Sequence, residues 1–114
     1  MKLETLVDEF GLEVKSAPSA LDREIAGAYV SDLLSDVIAN AGVGDIWITL
    51  QLHVNIVAVA SMKELSGIVI VNGRQPEQET MARAETEAIP IMVSRLPAFE
   101  IAGKLYQAGL RGKS

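Results

Sequence analysis

The sequence predicts a single α/β domain with a mainly parallel sheet and crossover helices. Residues 68–71 are an unbroken run of β-branched side chains, as in a strand covered on both faces. The second half of the chain alternates strand-like and helix-like segments with short connections, and no linker divides the chain. We therefore expect residues 1–114 to form one domain, in which residues 110–114 are a flexible basic tail.

The first segments read as a short helix followed by two strands. Apolar residues at helical spacing predict a helix over residues 2–10, which Gly11 ends. Alternation predicts a brief strand over residues 12–15, and the apolar run at residues 25–30 predicts a second strand. The polar and proline-containing stretch 16–19 is expected to be the turn between them.

The spacing of apolar residues changes to that of a helix in the next segment. Apolar residues within 33–41 form one helical stripe, for which Ser31 or Asp32 is the expected N-cap and Gly42 the expected C-cap. The strand at residues 46–50 follows, and Trp47 within it is expected to lie in the core or at an interface, in preference to stacking on a ligand.

Residues 53–62 have a strand-like composition, but their position between two strands favours a crossover helix. The strand at residues 67–71 leads into a helix over residues 76–88. Proline suits the first position of that helix, and the side chains expected to face inward are Met81, Ala84 and Ala88.

The last predicted elements are a strand over residues 91–93 and a helix over residues 98–108, which Gly109 ends. The apolar side chains of this helix predict a packing surface more readily than a cofactor site; they are Phe99, Ala102, Leu105 and Tyr106.

Composition excludes several classes of function. The net charge of −5 disfavours nonspecific binding to nucleic acid or to anionic membranes, and the longest apolar run, residues 56–60, is too short to span a bilayer. The absence of cysteine excludes thiolate metal sites, and the acidic start of the chain does not resemble a signal peptide. We expect a cytoplasmic protein without a cofactor or a metal site.

The charge is unevenly distributed. Residues 1–50 hold nine acidic and three basic side chains, whereas residues 51–114 hold six acidic and seven basic side chains. Any anion site is therefore expected in the second half of the chain.

Five stretches of the sequence resemble the DRTGG domain, which is similar to the N-terminal domain of HPr kinase/phosphorylase. They are residues 27–32, 44–49, 67–73, 89–93 and 98–102. The resemblance implies an HPr kinase N-terminal-domain-like α/β fold and a regulatory or accessory role. Small standalone versions of this domain are encoded beside iron-only hydrogenase subunits, so the resemblance also implies hydrogenase subunits as partners.

The chain departs from the family at the residues that give the domain its name. Gln51-Leu52 or Leu52-His53 stands where Asp-Arg is expected, and Val71-Asn72-Gly73 stands where Thr-Gly-Gly is expected. The P-loop of the kinase domain is absent, as are other recognisable catalytic motifs, so we expect no enzyme activity and assign no catalytic residue.

Ligand-binding candidates lie where the predicted strands end. If the strands are parallel, residues 31–32, 51–53, 72–74 and 94–95 share one edge of the sheet, here called the carboxyl rim. The candidates for binding a nucleotide or small anion are Gln51, His53, Asn72, Gly73, Arg74, Ser94 and Arg95.

Each candidate also has a structural interpretation. Backbone amides of the turn at residues 72–74 could face an anion beside the Arg74 fork, or the turn could simply connect a strand to a helix. His53 could shuttle protons, even in a weak hydrolase, or it could begin a helix or lie at an interface. Ser94 and Arg95 could contact phosphate or form a solvated loop.

Two functions follow from these observations. The first is a non-catalytic module that senses a nucleotide or small anion. The second is a protein-interaction module that associates with a hydrogenase and with itself, because the mean hydropathy of +0.27 is high for a small chain. A homo-oligomer is expected.

Overall fold

The computed structural model describes residues 1–112 and shows an α/β fold with a mainly parallel sheet, as predicted. Five strands lie in the order β1-β5-β4-β3-β2; they are β1 Glu13–Val14, β2 Gly27–Val30, β3 Asp45–Thr49, β4 Gly67–Ile70 and β5 Ile91–Val93. Strands β2 to β5 pair in parallel, and β1 pairs antiparallel with β5. The four parallel strands consequently end at the same edge of the sheet.

Five α-helices connect and cover these strands: α1 Leu3–Phe10, α2 Leu34–Asn40, α3 Asn55–Met62, α4 Gln78–Thr86 and α5 Ala98–Gln107. A 3₁₀ turn, Pro18–Ala20, lies between β1 and β2. The helix interpretation of residues 53–62 is confirmed, because a parallel pair such as β3 and β4 requires a crossover. Within residues 1–112, no helix combines the length and apolar character needed to cross a membrane.

The sheet separates two hydrophobic clusters, one for each face. Side chains of α2, α3 and α4 pack with Trp47, Ile68 and Ile91 on one face. Side chains of α1 and α5 pack with Ile46, Val69 and other sheet residues on the opposite face. Alternate residues of a strand point to opposite faces, so the β-branched run of β4 contributes to both clusters. The sheet is therefore the middle layer of three.

Trp47 is completely buried, and its Nε1 donates a hydrogen bond to the carbonyl oxygen of Ser31 at 2.8 Å. The expected core position is confirmed. This hydrogen bond satisfies the indole N–H, which would otherwise be costly to bury.

The predicted caps of α2 are wrong. The helix begins at Leu34, with Leu33 at the N-cap position and no capping side chain. Ser31 Oγ instead accepts from the amide of Leu33 at 3.2 Å, which closes a tight turn before the helix. At the other end, Ala41 occupies the C-cap position, while Gly42 donates its amide to Asp45 Oδ2 at 2.8 Å.

The predicted start and inner face of α4 also need correction. Pro76 lies ahead of the helix, which begins at Gln78 after Glu77 at the N-cap. Thr80 and Ala84 are the buried residues of this helix, so Ala84 faces inward as predicted, whereas Met81 is only half-buried. Ala88 is exposed, with a positive φ of 56°, just beyond the helix end.

The flexible-tail prediction is wrong for Leu110 and Arg111. Leu110 is only 7% exposed and belongs to the cluster under α5, since its apolar side chain completes that core. The carbonyl oxygen of Arg111 accepts the amide of Ala28 at 3.1 Å along the outer edge of β2. Lys113 and Ser114, the rest of the predicted tail, lie outside the described residues.

The packing surface predicted for α5 is only partly buried against this chain. Leu105 is 1% exposed, but Phe99 is 85% exposed and Tyr106 is 59% exposed. Of the predicted packing surface, Leu105 therefore packs within the chain, whereas Phe99 and Tyr106 face solvent. Their positions on the helix turn them away from the sheet.

Candidate functional site

The carboxyl rim forms as the parallel strands require, and hydrogen bonds join its segments. The amide of Gly73 donates to the carbonyl oxygen of Ser94 at 2.8 Å, which links the ends of β4 and β5. Nη1 of Arg74 donates to the carbonyl oxygen of Leu50 at 2.8 Å, which links β4 to β3. Gln51 Nε2 donates to the carbonyl oxygen of Asp32 at 2.8 Å, which links β3 to β2. Four strand ends thus form one continuous polar edge.

The turn after β4 has two consecutive residues in the left-handed region. Asn72 has a φ of 62° and Gly73 a φ of 65°, and the amide of Arg74 donates back to the carbonyl oxygen of Val71 at 3.2 Å. Positive φ at both central positions is the pattern of a type I′ turn, for which Asn-Gly is the preferred pair. The sequence thus specifies this sharp reversal directly.

The backbone amides of this turn already have partners within the chain. Asn72 N donates to the carbonyl oxygen of Leu96 at 2.9 Å, and the amides of Gly73 and Arg74 donate to the carbonyls of Ser94 and Val71. The interpretation in which these amides face an anion is therefore wrong. In this part of the rim, a ligand can therefore receive hydrogen bonds only from side chains.

Arg74 and Arg95 are the two cationic side chains near the turn, and both are exposed. Arg74 is held through Nη1 against the end of β3, so one side of its guanidinium has a fixed position. Arg95 has no hydrogen bond or ion pair among the side-chain contacts of residues 1–112. Its guanidinium is therefore available to an anionic ligand.

A cavity of about 520 Å³ lies between the turn and β1. Its lining residues are Gly11, Glu13, Gly73, Gln75, Val93 and Arg95. Gln75 Nε2 donates to Glu13 Oε1 at 3.1 Å, and Lys15 Nζ lies 3.9 Å from the same carboxylate oxygen. The cavity therefore carries one acidic and one basic side chain, and a ligand with both donors and anionic groups suits it better than a bare polyanion.

Ser94 does not lie in a solvated loop. It is 2% exposed, and its Oγ accepts from the amide of Leu96 at 3.1 Å. Its hydroxyl therefore shapes the turn after β5, while the adjacent Arg95 is exposed as predicted. Burial of a small polar side chain is compatible with its local hydrogen bond to the backbone.

His53 is exposed at the start of α3, where its Nδ1 accepts from the amide of Asn55 at 3.1 Å. This contact corresponds to the helix-start interpretation. An accepting Nδ1 leaves Nε2 to carry the proton of a neutral ring. Among residues 1–112, no group of three or more histidine, aspartate or glutamate side chains is arranged to hold a metal ion.

Sequence reasoning did not find the role of Asp32. Its Oδ1 accepts from Oγ1 of Thr49 at 2.9 Å and from the amide of Leu50 at 2.7 Å. The position of Asp32 directly after a parallel strand was the available signal, because such a carboxylate can reach the end of the neighbouring strand. The predicted place of Asp32 on the carboxyl rim is therefore observed, whereas its predicted N-cap role is not.

Tyr29 and Asp36 form a second polar contact next to the end of β2. The Tyr29 hydroxyl lies 2.9 Å from Oδ1 and 2.8 Å from Oδ2 of Asp36, and Asn40 Nδ2 donates to Oδ1 at 2.9 Å. The Ser31 hydroxyl, followed by Tyr29 and Asn40, lowers the pKa of Asp36, because each stabilises the carboxylate. The hydrogen bond to Asp36 raises the pKa of Tyr29. Both shifts favour a neutral phenol beside a charged carboxylate.

Comparison with known proteins identifies the fold. No protein-family model and no curated protein matches this chain. Among solved structures it is similar to the CBS and DRTGG domains of the regulatory region of Clostridium perfringens pyrophosphatase, complexed with the activator diadenosine tetraphosphate. The TM-score is 0.77 at 16% sequence identity, over 94% of this chain and 46% of that chain. The chain thus spans less than half the length of that regulatory region, with which it shares its α/β fold.

Proposed function

We propose that this chain is a non-catalytic regulatory module that binds a nucleotide or small anion at the carboxyl rim. The observation that carries the proposal is the exposed guanidinium of Arg95 at a cavity of about 520 Å³ bounded by the Asn72-Gly73 turn. The shared fold supports it, because the pyrophosphatase regulatory region was solved with a nucleotide activator bound. The proposed ligand-binding residues are Gln51, His53, Asn72, Gly73, Arg74, Ser94 and Arg95. Among them Gly73 contributes to the cavity wall and Ser94 shapes the turn before Arg95, while the other five offer side chains.

Recognition at this rim would depend on side chains. Arginine offers a planar fork of donors that matches phosphate and carboxylate oxygens, and Arg95 supplies it at the cavity. Glu13, which also lines the cavity, disfavours several adjacent negative charges but can accept hydrogen bonds from a sugar or an amino group. A nucleotide that places a single phosphate at Arg95 fits this distribution of charge.

Isothermal titration calorimetry of the protein with diadenosine tetraphosphate, ATP, AMP and inorganic phosphate tests the proposal. We expect measurable binding of at least one nucleotide and about tenfold weaker binding by Arg95→Ala, since one charge-assisted contact contributes roughly 1.5 to 3 kcal/mol. The matched control is Arg83→Ala, which removes another exposed arginine at the far end of α4.

Two results would contradict nucleotide or anion sensing. One is the absence of heat and of any thermal shift at millimolar concentrations of all four compounds. The other is equal affinity of Arg95→Ala and the unsubstituted chain. Equal weakening by Arg95→Ala and Arg83→Ala would indicate general electrostatic attraction without a site.

Exposed apolar side chains favour a second candidate, a protein-interaction module, for which the family resemblance suggests an iron-only hydrogenase as the partner. Leu33 is 64% exposed, Val43 is 68% exposed, and Phe99 and Tyr106 project from α5. Such side chains are common at protein interfaces. Affinity capture with purified hydrogenase subunits tests this candidate, and a strictly monomeric chain that retains none of the subunits would rule it out.

A further inference from the structure

The cavity at the carboxyl rim contains two opposite charges that do not pair with each other. Glu13 and Arg95 both line it, and both side chains are exposed. Among residues 1–112, Glu13 lies near Lys15 but forms no ion pair with Arg95. A direct contact between Glu13 and Arg95 would occupy both groups. Because they stay apart, the cavity offers a ligand one cationic and one anionic group at separate positions.

The pairing of β1 with β5 explains this separation. Glu13 lies directly opposite Val93 in the antiparallel register, and Arg95 follows Val93 by two positions. Diagonal positions of this kind lie roughly 7–8 Å apart in a regular antiparallel pair. Val93, which also lines the cavity, thus separates the two charged positions. A ligand that contacts both groups without drawing them together has to be longer than a single phosphate.

Two neighbouring side chains fix the carboxylate of Glu13. Gln75 Nε2 donates to Glu13 Oε1 at 3.1 Å, and Lys15 Nζ lies 3.9 Å from the same oxygen. The other oxygen, Oε2, has no hydrogen bond or ion pair among the described residues. A carboxylate oxygen can accept hydrogen bonds from hydroxyl or amino groups. Glu13 Oε2 is therefore the acceptor that the cavity presents to a ligand.

Two glycines leave room for such a ligand. Gly11 and Gly73 line the cavity, and a Cβ added to either would meet nothing within 4 Å. Their φ angles of 61° and 65° favour glycine, so both parts of the wall remain without a side chain. The cavity volume of about 520 Å³ lies within the range of about 300 to 1,000 Å³ that is typical of small-molecule sites. The cavity is therefore large enough for more than a free phosphate ion.

We propose that Glu13 determines the specificity of this cavity by selecting a phosphate monoester that carries hydroxyl or amino donors, as a nucleoside monophosphate does. This inference rests on the proposed binding of an anion at Arg95. The phosphate contacts Arg95 while a donor of the same molecule reaches Glu13 Oε2. Glu13 also repels additional phosphates, so a nucleoside triphosphate binds more weakly than a monophosphate.

Isothermal titration calorimetry with AMP and methyl phosphate measures the contribution of the donors. Both compounds are phosphate monoesters and present the same group to Arg95, but the ester group of methyl phosphate has no hydroxyl or amino donor. We expect AMP to bind at least roughly tenfold more tightly, because a hydrogen bond to a charged acceptor contributes on that scale. We expect ATP to bind more weakly than AMP.

Glu13→Gln tests the carboxylate directly, since glutamine has the same shape and keeps an uncharged acceptor. We expect the preference for AMP over methyl phosphate to fall at least about threefold, because hydrogen bonds to a charged acceptor are roughly twice as strong as neutral ones. The affinity for ATP should rise about three- to tenfold as the repulsion is lost. Glu4→Gln is the matched control, because Glu4 is an exposed acid in the first turn of α1, at the opposite end of that helix from Gly11.

Gln75→Leu tests whether the position of the carboxylate matters. Leucine cannot donate to Glu13, so Oε1 keeps only its contact with Lys15. We expect about threefold weaker binding of AMP and unchanged binding of methyl phosphate, because a less ordered carboxylate contributes less to affinity. Gln75 is exposed, so this substitution leaves the core intact. The thermal unfolding midpoint of each variant shows that it is folded.

The outcomes distinguish the specificity of the site from its existence. If Arg95→Ala weakens AMP binding but Glu13→Gln and Gln75→Leu leave the preference for AMP over methyl phosphate unchanged, the site stands and the role of Glu13 is wrong. Equal affinities of the unsubstituted chain for AMP and methyl phosphate would also overturn that role. If AMP, methyl phosphate and ATP all fail to bind, the proposed site and its specificity are both wrong.

Discussion

Asp32 at the end of β2 accepts a hydrogen bond from Thr49 at the end of β3, with 2.9 Å between the carboxylate and hydroxyl oxygens. The same carboxylate oxygen accepts the amide of Leu50 at 2.7 Å. Thr49 is buried, so its hydroxyl depends on protein partners. Asp32 therefore ties together two parallel strands where the sheet opens to solvent.

Asp32→Ala is expected to lower the free energy of unfolding by about 1 to 2 kcal/mol, because the Thr49 hydroxyl and the Leu50 amide lose a charged acceptor. Urea denaturation measures the change. Asp22→Ala is the control, since Asp22 is an exposed aspartate without a hydrogen-bonding role among the described side chains. Equal effects of the two substitutions would show that the tie between the strands contributes little.

Stability is expected to fall in acid through Asp36. Its folded-state pKa lies below its ordinary value of 3.8, so the stabilising contribution is complete above that value and is lost as the pH falls through the folded pKa. Asp36→Asn should flatten this part of the profile of unfolding free energy against pH. If the unfolding free energy of the Asp36→Asn variant falls in acid as steeply as that of the unsubstituted chain, Asp36 is not the cause of the loss.

Tyr29 is expected to make the stability of the fold decrease at alkaline pH. Its pKa is raised above the ordinary value of 10.0, so the neutral phenol contributes stability below that value and loses it as the pH rises through the folded pKa. Spectrophotometric titration near 295 nm should show one tyrosine ionising late, and Tyr29→Phe should remove that component. If the late component persists in Tyr29→Phe, it belongs to another tyrosine.

Gly27→Ala is expected to release the segment that follows α5 from the edge of β2. The added Cβ would lie 2.6 Å from the Arg111 carbonyl oxygen and 2.9 Å from Asp45 Oδ1, both closer than atoms can approach. Hydrogen exchange of the Ala28 amide, which donates to Arg111, should accelerate. Gly112→Ala meets its nearest atom at an ordinary 3.7 Å and should leave that exchange unchanged.

Gly73→Ala is expected to lower the free energy of unfolding by about 1 to 2 kcal/mol, solely through its φ of 65°. A Cβ at Gly73 would meet nothing within 4 Å, so crowding does not contribute. Gly103→Ala has equally open space but lies inside a helix and should stabilise by about 0.5 to 1 kcal/mol. Opposite signs of the two changes, measured by urea denaturation, would confirm that backbone conformation decides the effect at Gly73.

The strands and the layers of the fold could be predicted from the sequence because they depend on short stretches of neighbouring residues. The β-branched run after Gly67 and the need for a crossover at residues 53–62 depend only on neighbouring positions. The cap of α2 was mispredicted because Asp32 was assigned to its own helix, whereas it bonds to a strand that follows 17 positions later. The position of Asp32 after a strand indicates that it can reach a neighbouring strand, but it does not identify Thr49 as the partner.

The position of the carboxyl rim could be predicted from the sequence, but the hydrogen bonds within it could not. Parallel strands bring their carboxyl ends together, so the rim followed from the fold class. The amides of Asn72 and Gly73, however, donate to residues after β5, and the predicted anion contact required them to be unpaired. Which of several acceptors an amide meets depends on strand order, and strand order could not be inferred from one sequence.

The antiparallel pairing of β1 with β5 has a consequence for how the chain folds. Ser16 Oγ accepts the amide of Ile91, 75 positions later, so the earliest strand has no partner until the latest one exists. Closing so long a loop is slow relative to local contacts. During synthesis, β1 therefore cannot pair until β5 has emerged, whereas α1 finds backbone partners at residues 21–25 soon after it is made.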